Sequence, residues 1–156
     1  MIDSKIIDNA VNQARKTMNN GEGGPFGAAI ITKDGQIFYA SNQVLKEHDP
    51  TAHAEICCIR KACKALNTHD LSGCILYTTC QPCPMCLSAI IWSNIKEIWY
   101  GCNADDADKA GFRDAFIYEY IEKKCKDSCV LKITQIDRDR ANVLFEEYKK
   151  MSGEIY

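Results

Sequence analysis

The sequence predicts one α/β domain over residues 1–156, a three-layer α/β/α sandwich around a mixed five-stranded sheet. Three observations support this fold class. Segments with strand-like and helix-like apolar patterns alternate along the chain. A chain of 156 residues is long enough to bury one substantial core. No internal repeat or Pro/Ser-rich linker marks a domain boundary. Alternating strands and helices are typical of a sheet covered by helices on both faces.

The first three predicted elements are a helix and a β-hairpin. Apolar residues recur at helical spacing near the N-terminus, and the run Asn19-Asn20-Gly21 ends this helix. Two β-rich runs, FGAAIIT and QIFYASN, then flank Lys33-Asp34-Gly35, which is a turn signal. The pattern therefore predicts a hairpin at the start of the sheet.

A second helix is predicted after His48, where Asp49 or Thr51 can cap it and Pro50 is tolerated at its start. Its apolar stripe steps by three or four residues along Ala52, Ile56, Ile59, Cys63 and Leu66. The segment CILYTT (74–79) follows as a buried strand, and Pro84 opens a helix that runs to about Trp92.

The remaining predicted elements complete the sheet and its helical layers. They are a strand at IKEIWYG (95–101), a helix from Asp106 to about Lys123 that contains Gly111, a fifth strand at VLKITQI (130–136), and a last helix marked by Ala141, Leu144, Phe145 and Tyr148.

Composition and charge indicate which compartment and which kinds of partner to expect. The chain has ten cysteines but no apolar secretion signal at its N-terminus, which favours a reducing cytoplasm over a disulfide scaffold. Its apolar runs are too short to cross a bilayer, so no membrane partner is expected. The net charge of −2 and the absence of a basic cluster disfavour a nucleic-acid partner.

A metal site is predicted from three side chains. Cys83 and Cys86 open a helix, where the backbone N–H groups and the helix dipole favour thiolates. Taken alone, this C-x-x-C pair is also compatible with a redox dithiol or with two buried cysteines. His53 supplies a third ligand at the start of another helix, and three protein ligands leave a zinc ion one open position, as in catalytic sites. We therefore expect one Zn²⁺ per chain.

Glu55 is the predicted catalytic residue. Residues two apart in a regular helix point about 200° from each other. His53 and Glu55 can therefore face one site only at a first helical turn, where the capping backbone departs from helical angles. Next to the metal site, Glu55 is expected to move protons rather than to bind the ion.

Two alternatives concern the cysteines. Cys80, Cys83 and Cys86 form a C-x-x-C-x-x-C run, but iron–sulfur ferredoxin spacing requires a further cysteine at position 90, which is Ile. The other cysteines are interpreted as small buried or partly buried apolar residues: Cys57, Cys58, Cys63, Cys74, Cys102, Cys125 and Cys129.

The combination of H-x-E with P-C-x-x-C is the signature of zinc deaminases. His53-Ala54-Glu55 and Pro82-Cys83-Pro84-Met85-Cys86 resemble the cytidine deaminase-like superfamily. Within it, Gly24-Pro25-Phe26-Gly27, Asn42, the run from Asp49 to Glu55 and Gly111-Phe112-Arg113-Asp114 resemble bacterial guanine deaminases. Gln81 departs from the pattern, since many relatives carry Glu before Pro-Cys.

The resemblance implies hydrolysis of guanine to xanthine and ammonia, a step of purine metabolism. It implies that His53, Cys83 and Cys86 bind zinc. It also implies that Glu55 carries a proton from the attacking water to a ring nitrogen and then to the leaving amine. A homodimer is implied as well, in which the C-terminal segment can cross to the second subunit.

The substrate contacts are predicted on two grounds. Guanine presents both donors and acceptors, so its site should contain polar groups, and Asn42 is the amide we select, with the Ala54 backbone as a further contact. Phe26 and Trp92 are aromatic candidates for lining the ring. By similarity, Asp114 and the terminal Tyr156 complete the pocket.

Other functions remain open at the sequence level. A tRNA adenosine deaminase shares the same zinc and glutamate groups, but it must bind a polyanion. Another free-base deaminase, such as a cytosine deaminase, differs only in the shape of its pocket. A non-catalytic metal-binding or redox domain is the remaining class, and it gives no role to Glu55.

Overall fold

A computed structural model describes residues 3–156. By their internal contacts these residues form two compact units, one ending at Ala115 and one spanning Phe116–Tyr156. The prediction of a single domain over the whole chain is not tested by this division and stays a prediction.

The first unit contains the sheet. Its elements are α1 (Ser4–Asn19), β1 (Gly27–Ile31), β2 (Ile37–Ser41), α2 (Val44–Glu47), α3 (Ala54–Leu66), β3 (Ile75–Cys80), α4 (Pro84–Trp92), β4 (Glu97–Cys102) and α5 (Ala104–Lys109). The strand order is β2-β1-β3-β4, with β3 and β4 parallel and the other two pairings antiparallel. The predicted hairpin, the end of the first helix and the helix Pro84–Trp92 are confirmed.

Helices cover both faces of the sheet. Ala28 and Ile30 of β1 belong to the buried core together with Ala54 and Cys58 of α3. Gly27 points to the other face, where an added Cβ would overlap the backbone of Ala10 in α1. Since β1 is almost fully buried, its apolar run GAAII shows no strand alternation, as expected for a strand covered on both sides.

The prediction of a fifth strand is wrong. Residues 130–136 are irregular, and Ile133 and Ile136 are exposed. The four strands that form the described sheet all lie between residues 27 and 102. Isolated β-propensity does not produce a strand, because a strand also requires a hydrogen-bonding neighbour and a buried face.

Two helix predictions also need correction. The helix expected from Asp106 to about Lys123 is divided into α5 and α6 (Ala115–Glu122), because Ala110 ends α5 and Gly111 adopts φ +90°. The helix expected to be capped by Asp49 or Thr51 begins only at Ala54, and its N-cap is His53. The second unit contains most of α6 and also α7 (Arg138–Lys150), which matches the predicted last helix.

No helix between residues 3 and 156 has the length and apolar character needed to span a bilayer.

Candidate active site

Two helix N-termini converge on one point of the first unit. His53 is the N-cap of α3, and its backbone is extended (φ −67°, ψ 157°). Cys83 is the N-cap of α4, again with extended backbone, and Pro84 follows as the first helical residue. Pro at this position costs no hydrogen bond, because the first N–H groups of a helix have no intrahelical partner. Cys86 then lies in the first turn of α4.

The three predicted ligands meet at this point. His53 Nδ1 lies 3.6 Å from Cys83 Sγ and 3.5 Å from Cys86 Sγ, and the three ligand atoms all lie within 4.8 Å of one another. Typical Zn–N and Zn–S lengths separate the nitrogen and sulfur ligands of a tetrahedral ion by about 3.5 Å. The donor set and its spacing therefore fit a zinc ion.

Among residues 3–156, the cluster of potential metal ligands consists of His53, Cys83 and Cys86, and it does not include Glu55. Three protein ligands leave one coordination position for a water or a substrate, which is typical of catalytic zinc sites. Cys80 also stays outside the group, and its thiol donates to the carbonyl of Asn103 at 3.6 Å. Burial is the main cause that raises the pKa of Cys80 to about 11, so Cys80 is a protonated thiol at neutral pH.

The side chains of the site polarise one another. A hydrogen bond from the Cys86 thiol, with a further one from His53, holds the pKa of Cys83 at about 4. The same contact and burial raise the pKa of Cys86. The Cys83 thiolate also raises the pKa of His53. A divalent ion bound by these groups would hold both sulfurs as thiolates and the imidazole neutral.

Glu55 is buried beside the ligands, with 6% of its surface exposed. Burial is the main cause that raises the pKa of its carboxyl group, and the charge of Cys83 acts in the same direction. A carboxylate with a raised pKa accepts a proton more readily, which is the property required of a general base.

A cavity of about 560 Å³ opens above this group, and its walls come from residues 18–114. Glu55, His53 and Cys83 line it, together with the predicted contacts Phe26, Asn42 and Asp114. Burial raises the pKa of Asp114, and the charge of Cys83 adds to this effect. Ala54 is fully buried between His53 and Glu55 in the first turn of α3.

Two further residues were predicted to contact the base. Trp92 is the last residue of α4, about 12 Å along the helix axis from the first turn that holds the cysteines, and it is 71% exposed. Tyr156 lies in the second unit and is 81% exposed. Within the first unit Trp92 does not line the cavity, and the roles of Trp92 and Tyr156 stay predictions.

Several cavity residues were not selected from the sequence. Phe112 packs edge-to-face on Phe26, with ring centroids 4.8 Å apart. Gln81 lies directly before Pro82-Cys83 and accepts a hydrogen bond from the Ala104 N–H at 3.4 Å. The position of Gln81 next to the cysteine motif was an available signal. Phe112 and Arg113 belong to the run 111–114 that carries part of the resemblance, which was a further signal. Met18 and Leu45 carried no such signal, because only the tertiary fold places them at the cavity.

The chain belongs to the cytidine and deoxycytidylate deaminase family, whose zinc-binding region matches residues 1–102. It is therefore a zinc-binding member of a family of deaminases, with the ligands in the positions described above.

Its relatives include a guanine deaminase from Bacillus subtilis, which is 49% identical over 126 residues, 80% of each chain. A crystal structure of Bacillus subtilis guanine deaminase superposes with a TM-score of 0.89 at 39% identity, covering 100% of this chain and 99% of that one. A tRNA-specific adenosine deaminase from Aquifex aeolicus is 46% identical over 90 residues, 57% of this chain and 58% of its own length.

Proposed function

We propose that this protein hydrolyses guanine to xanthine and ammonia. The observation that carries the proposal is a cavity of about 560 Å³ that is lined by two of the three zinc ligands, a buried carboxylate, further polar side chains and aromatic rings. The likeness to Bacillus subtilis guanine deaminase along the full chain supports guanine as the base.

His53, Cys83 and Cys86 would hold the zinc ion, which supplies a Lewis acid that makes water nucleophilic at neutral pH. Glu55 takes a proton from the attacking water and delivers it to the ring nitrogen beside C2. It then takes the second proton from the hydroxyl group now on C2 and passes it to the exocyclic amine. The C2–N bond to this amine breaks, ammonia leaves, and C2 keeps the oxygen as the carbonyl of xanthine. The buried position of Glu55 supports this role, because few solvent molecules compete for its proton.

The base is held by groups that surround this centre. Asn42 supplies an amide, and the Ala54 backbone is a further polar contact. Phe26, supported by Phe112, offers an aromatic wall. Asp114 offers a carboxylate that can accept hydrogen bonds from the N–H groups of guanine.

The proposal extends to a homodimer in the cytoplasm. Cys83 and Cys86 must remain reduced to bind a metal, which a reducing compartment favours. The second unit exposes several large apolar side chains, among them Phe116, Leu144 and Phe145, and such surface is typical of subunit interfaces. Trp92 and Tyr156 are proposed to contact the base within that dimer, with the C-terminal segment exchanged between subunits.

Measuring ammonia release tests the proposed reaction. Purified zinc-loaded protein is incubated with guanine, adenine, cytosine and the corresponding nucleosides. We expect ammonia and xanthine from guanine at a rate well above that from the other compounds. Ammonia from cytosine or adenine in place of guanine would assign a different free-base deaminase.

A tRNA adenosine deaminase is the second candidate, because the Aquifex aeolicus relative has that name. Its shorter match and the net charge of −2 favour the free base. Inosine formation in tRNA, measured on total tRNA at physiological salt, separates the two functions. We expect none above background.

A further inference from the structure

The carboxamide of Asn42 has a defined orientation. Its Oδ1 accepts hydrogen bonds from the backbone N–H of Gly24 and from that of Val44, each at 3.2 Å. A backbone N–H can only donate, so the oxygen of the carboxamide must face these two groups. The NH₂ group is bonded to the same Cγ as this oxygen, and it therefore points away from the two backbone N–H groups.

The backbone of Asn42 is held as firmly as its side chain. Its N–H donates to the carbonyl of Phe26 at 3.0 Å. Its carbonyl accepts from Gln43 Nε2 at 3.2 Å, and the same nitrogen lies 3.2 Å from Ser41 Oγ. Since Asn42 is only 5% exposed and lines the cavity, these contacts leave it little freedom to turn over.

Gly23 is the residue that permits this arrangement. A Cβ at position 23 would overlap both the carbonyl oxygen and Oδ1 of Asn42, and it would lie 2.8 Å from the carbonyl carbon. The loop that contains Glu22 and Gly23 cannot easily move away. The Glu22 carbonyl accepts a hydrogen bond from the Lys46 N–H at 2.9 Å, and the Glu22 carboxylate lies 3.3 Å from the Lys46 ammonium. The loop can therefore lie against Asn42 only if residue 23 has no side chain.

We propose that Gly23 is a positioning residue that, with the N–H of Gly24, orients Asn42 so that its NH₂ group donates into the cavity. Asn42 is then a donor-only contact, and the base must present a hydrogen-bond acceptor to it. Glu55 and Asp114 supply the carboxyl groups of the cavity. Asn42 therefore binds a hydrogen-bond acceptor of the base, whereas carboxylates bind its donors. This inference rests on the proposed function, because it concerns recognition of the same base.

The variant Asn42→Asp tests the donor. It keeps an oxygen for the Gly24 and Val44 N–H groups but removes both N–H donors. We expect KM for guanine to rise about tenfold or more, with zinc content and melting temperature close to wild type. An unchanged KM in Asn42→Asp would overturn the donor assignment.

The variant Gly23→Ala tests the positioning role, and Gly21→Ala is its matched control. Gly21 lies in the same loop at φ +67° with nothing within 4 Å of an added Cβ, so its substitution introduces backbone strain without touching Asn42. We expect Gly23→Ala to raise KM about tenfold and to lower kcat less, whereas Gly21→Ala changes KM less than twofold. Equal KM values in the two variants would overturn the role of Gly23.

The double variant Gly23→Ala/Asn42→Asp separates an effect through Asn42 from an independent one. We expect its KM to stay within about threefold of that of Asn42→Asp alone, because the second change removes what the first disturbs. If the KM increases of the two single variants instead multiply in the double variant, Gly23 does not act through Asn42 and the proposal is overturned. A Gly23→Ala chain without a cooperative melting transition would assign Gly23 to stability alone and overturn its positioning role.

These outcomes are distinct from those that test the reaction. If the wild-type protein releases ammonia from another base, guanine is refuted as the substrate and the variants are compared on that base. If no base is turned over, the same comparison uses the Kd of guanine for zinc-loaded protein, measured by equilibrium dialysis. Equal Kd values for wild type and Asn42→Asp would overturn the inference.

Discussion

At the scale of single residues, Glu55 and His53 face one site because α3 begins only at Ala54. In a continuous helix, side chains two residues apart point about 200° from each other. The extended backbone of His53 removes this restriction, so its imidazole and the Glu55 carboxyl reach the same centre. The spacing H-x-E is therefore informative only at a helix start.

Replacing Glu55 by Gln tests its role as proton carrier. Glutamine fills the same volume but cannot accept and deliver a proton, so kcat for guanine should fall by about 100-fold or more. Zinc content, measured by atomic absorption, should stay near one per chain. Glu47→Gln is the control, because Glu47 is an exposed acid at the end of α2. A Glu55→Gln enzyme with normal kcat would exclude the assigned role.

The cysteine run offers an internal comparison for the metal site. Cys83→Ser or Cys86→Ser removes a thiolate, and bound zinc should fall well below one per chain. Cys80→Ser should retain zinc, because the Cys80 thiol donates to a carbonyl and lies outside the ligand group. Zinc analysis after dialysis measures both outcomes. If Cys80→Ser loses zinc while Cys83→Ser and Cys86→Ser retain it, the assigned set of zinc ligands is wrong.

Sequence reasoning found the metal ligands and Glu55 because their chemistry restricts spacing. Cys83 and Cys86 had to lie on one helical turn, and His53 had to precede another helix. Met18 and Leu45 could not be found in this way. Their apolar side chains line the cavity through long-range packing, and nothing in their local sequence distinguishes them from ordinary apolar residues.

At the scale of elements, the break between α5 and α6 is the most consequential difference from prediction. Residues 110–114 have no helical structure, and this segment brings Phe112 and Asp114 to the cavity. The periodicity from Asp106 to Lys123 indicated one helix, and Gly111 was the only local sign against it. Its left-handed backbone (φ +90°) is favoured by glycine and ends the helical path.

The capping box of α5 provides a test at this scale. Asn103 Oδ1 accepts from the Asp106 N–H at 2.9 Å, and the Asp106 carboxylate accepts from the Asn103 N–H at 3.0 Å. Asn103→Ala should lower the free energy of unfolding by about 1 kcal/mol. Since Ala104 and Ala107 line the cavity, KM for guanine should also rise several-fold.

Asp105→Ala is the matched control for this prediction. Asp105 lies in the same helical turn and is exposed, but it is not part of the capping box. Urea unfolding and steady-state kinetics on both variants give the comparison. If Asn103→Ala loses no more stability than Asp105→Ala, the capping box makes no specific contribution to stability and this prediction is wrong.

The strands show where local pattern suffices and where it does not. The hairpin formed as predicted because Lys33-Asp34-Gly35 restricts the turn, and Gly35 adopts φ +83°. Val130 to Ile136 has comparable β-propensity but no strand beside it among the described residues. Propensity indicates which side chains suit a sheet, and pairing decides whether a sheet forms.

At the scale of the whole molecule, the chain divides into a sheet-containing unit and a helical unit. The first has a contiguous buried core, whereas the second exposes most of its large apolar side chains and buries Tyr120. Length and composition could not predict this division, because they describe the average of the two parts.

Deleting Gly153–Tyr156 tests the proposed role of the C-terminal tail. We expect guanine turnover to be abolished while zinc content stays near one per chain, because all three ligands lie in the first unit. Analytical ultracentrifugation of the full chain and the deletion variant, in parallel, reports the oligomeric state. Tyr156→Phe is the conservative companion variant. Normal turnover after the deletion would remove the tail from the active site.

The two helix starts that supply the ligands are separated by 30 positions in the chain, from His53 to Cys83. An ion held by both acts as a cross-link between distant segments, and its binding free energy adds to that of folding. The protein would then depend on the cellular zinc supply twice, once for its chemistry and once for the amount of folded chain that survives proteolysis.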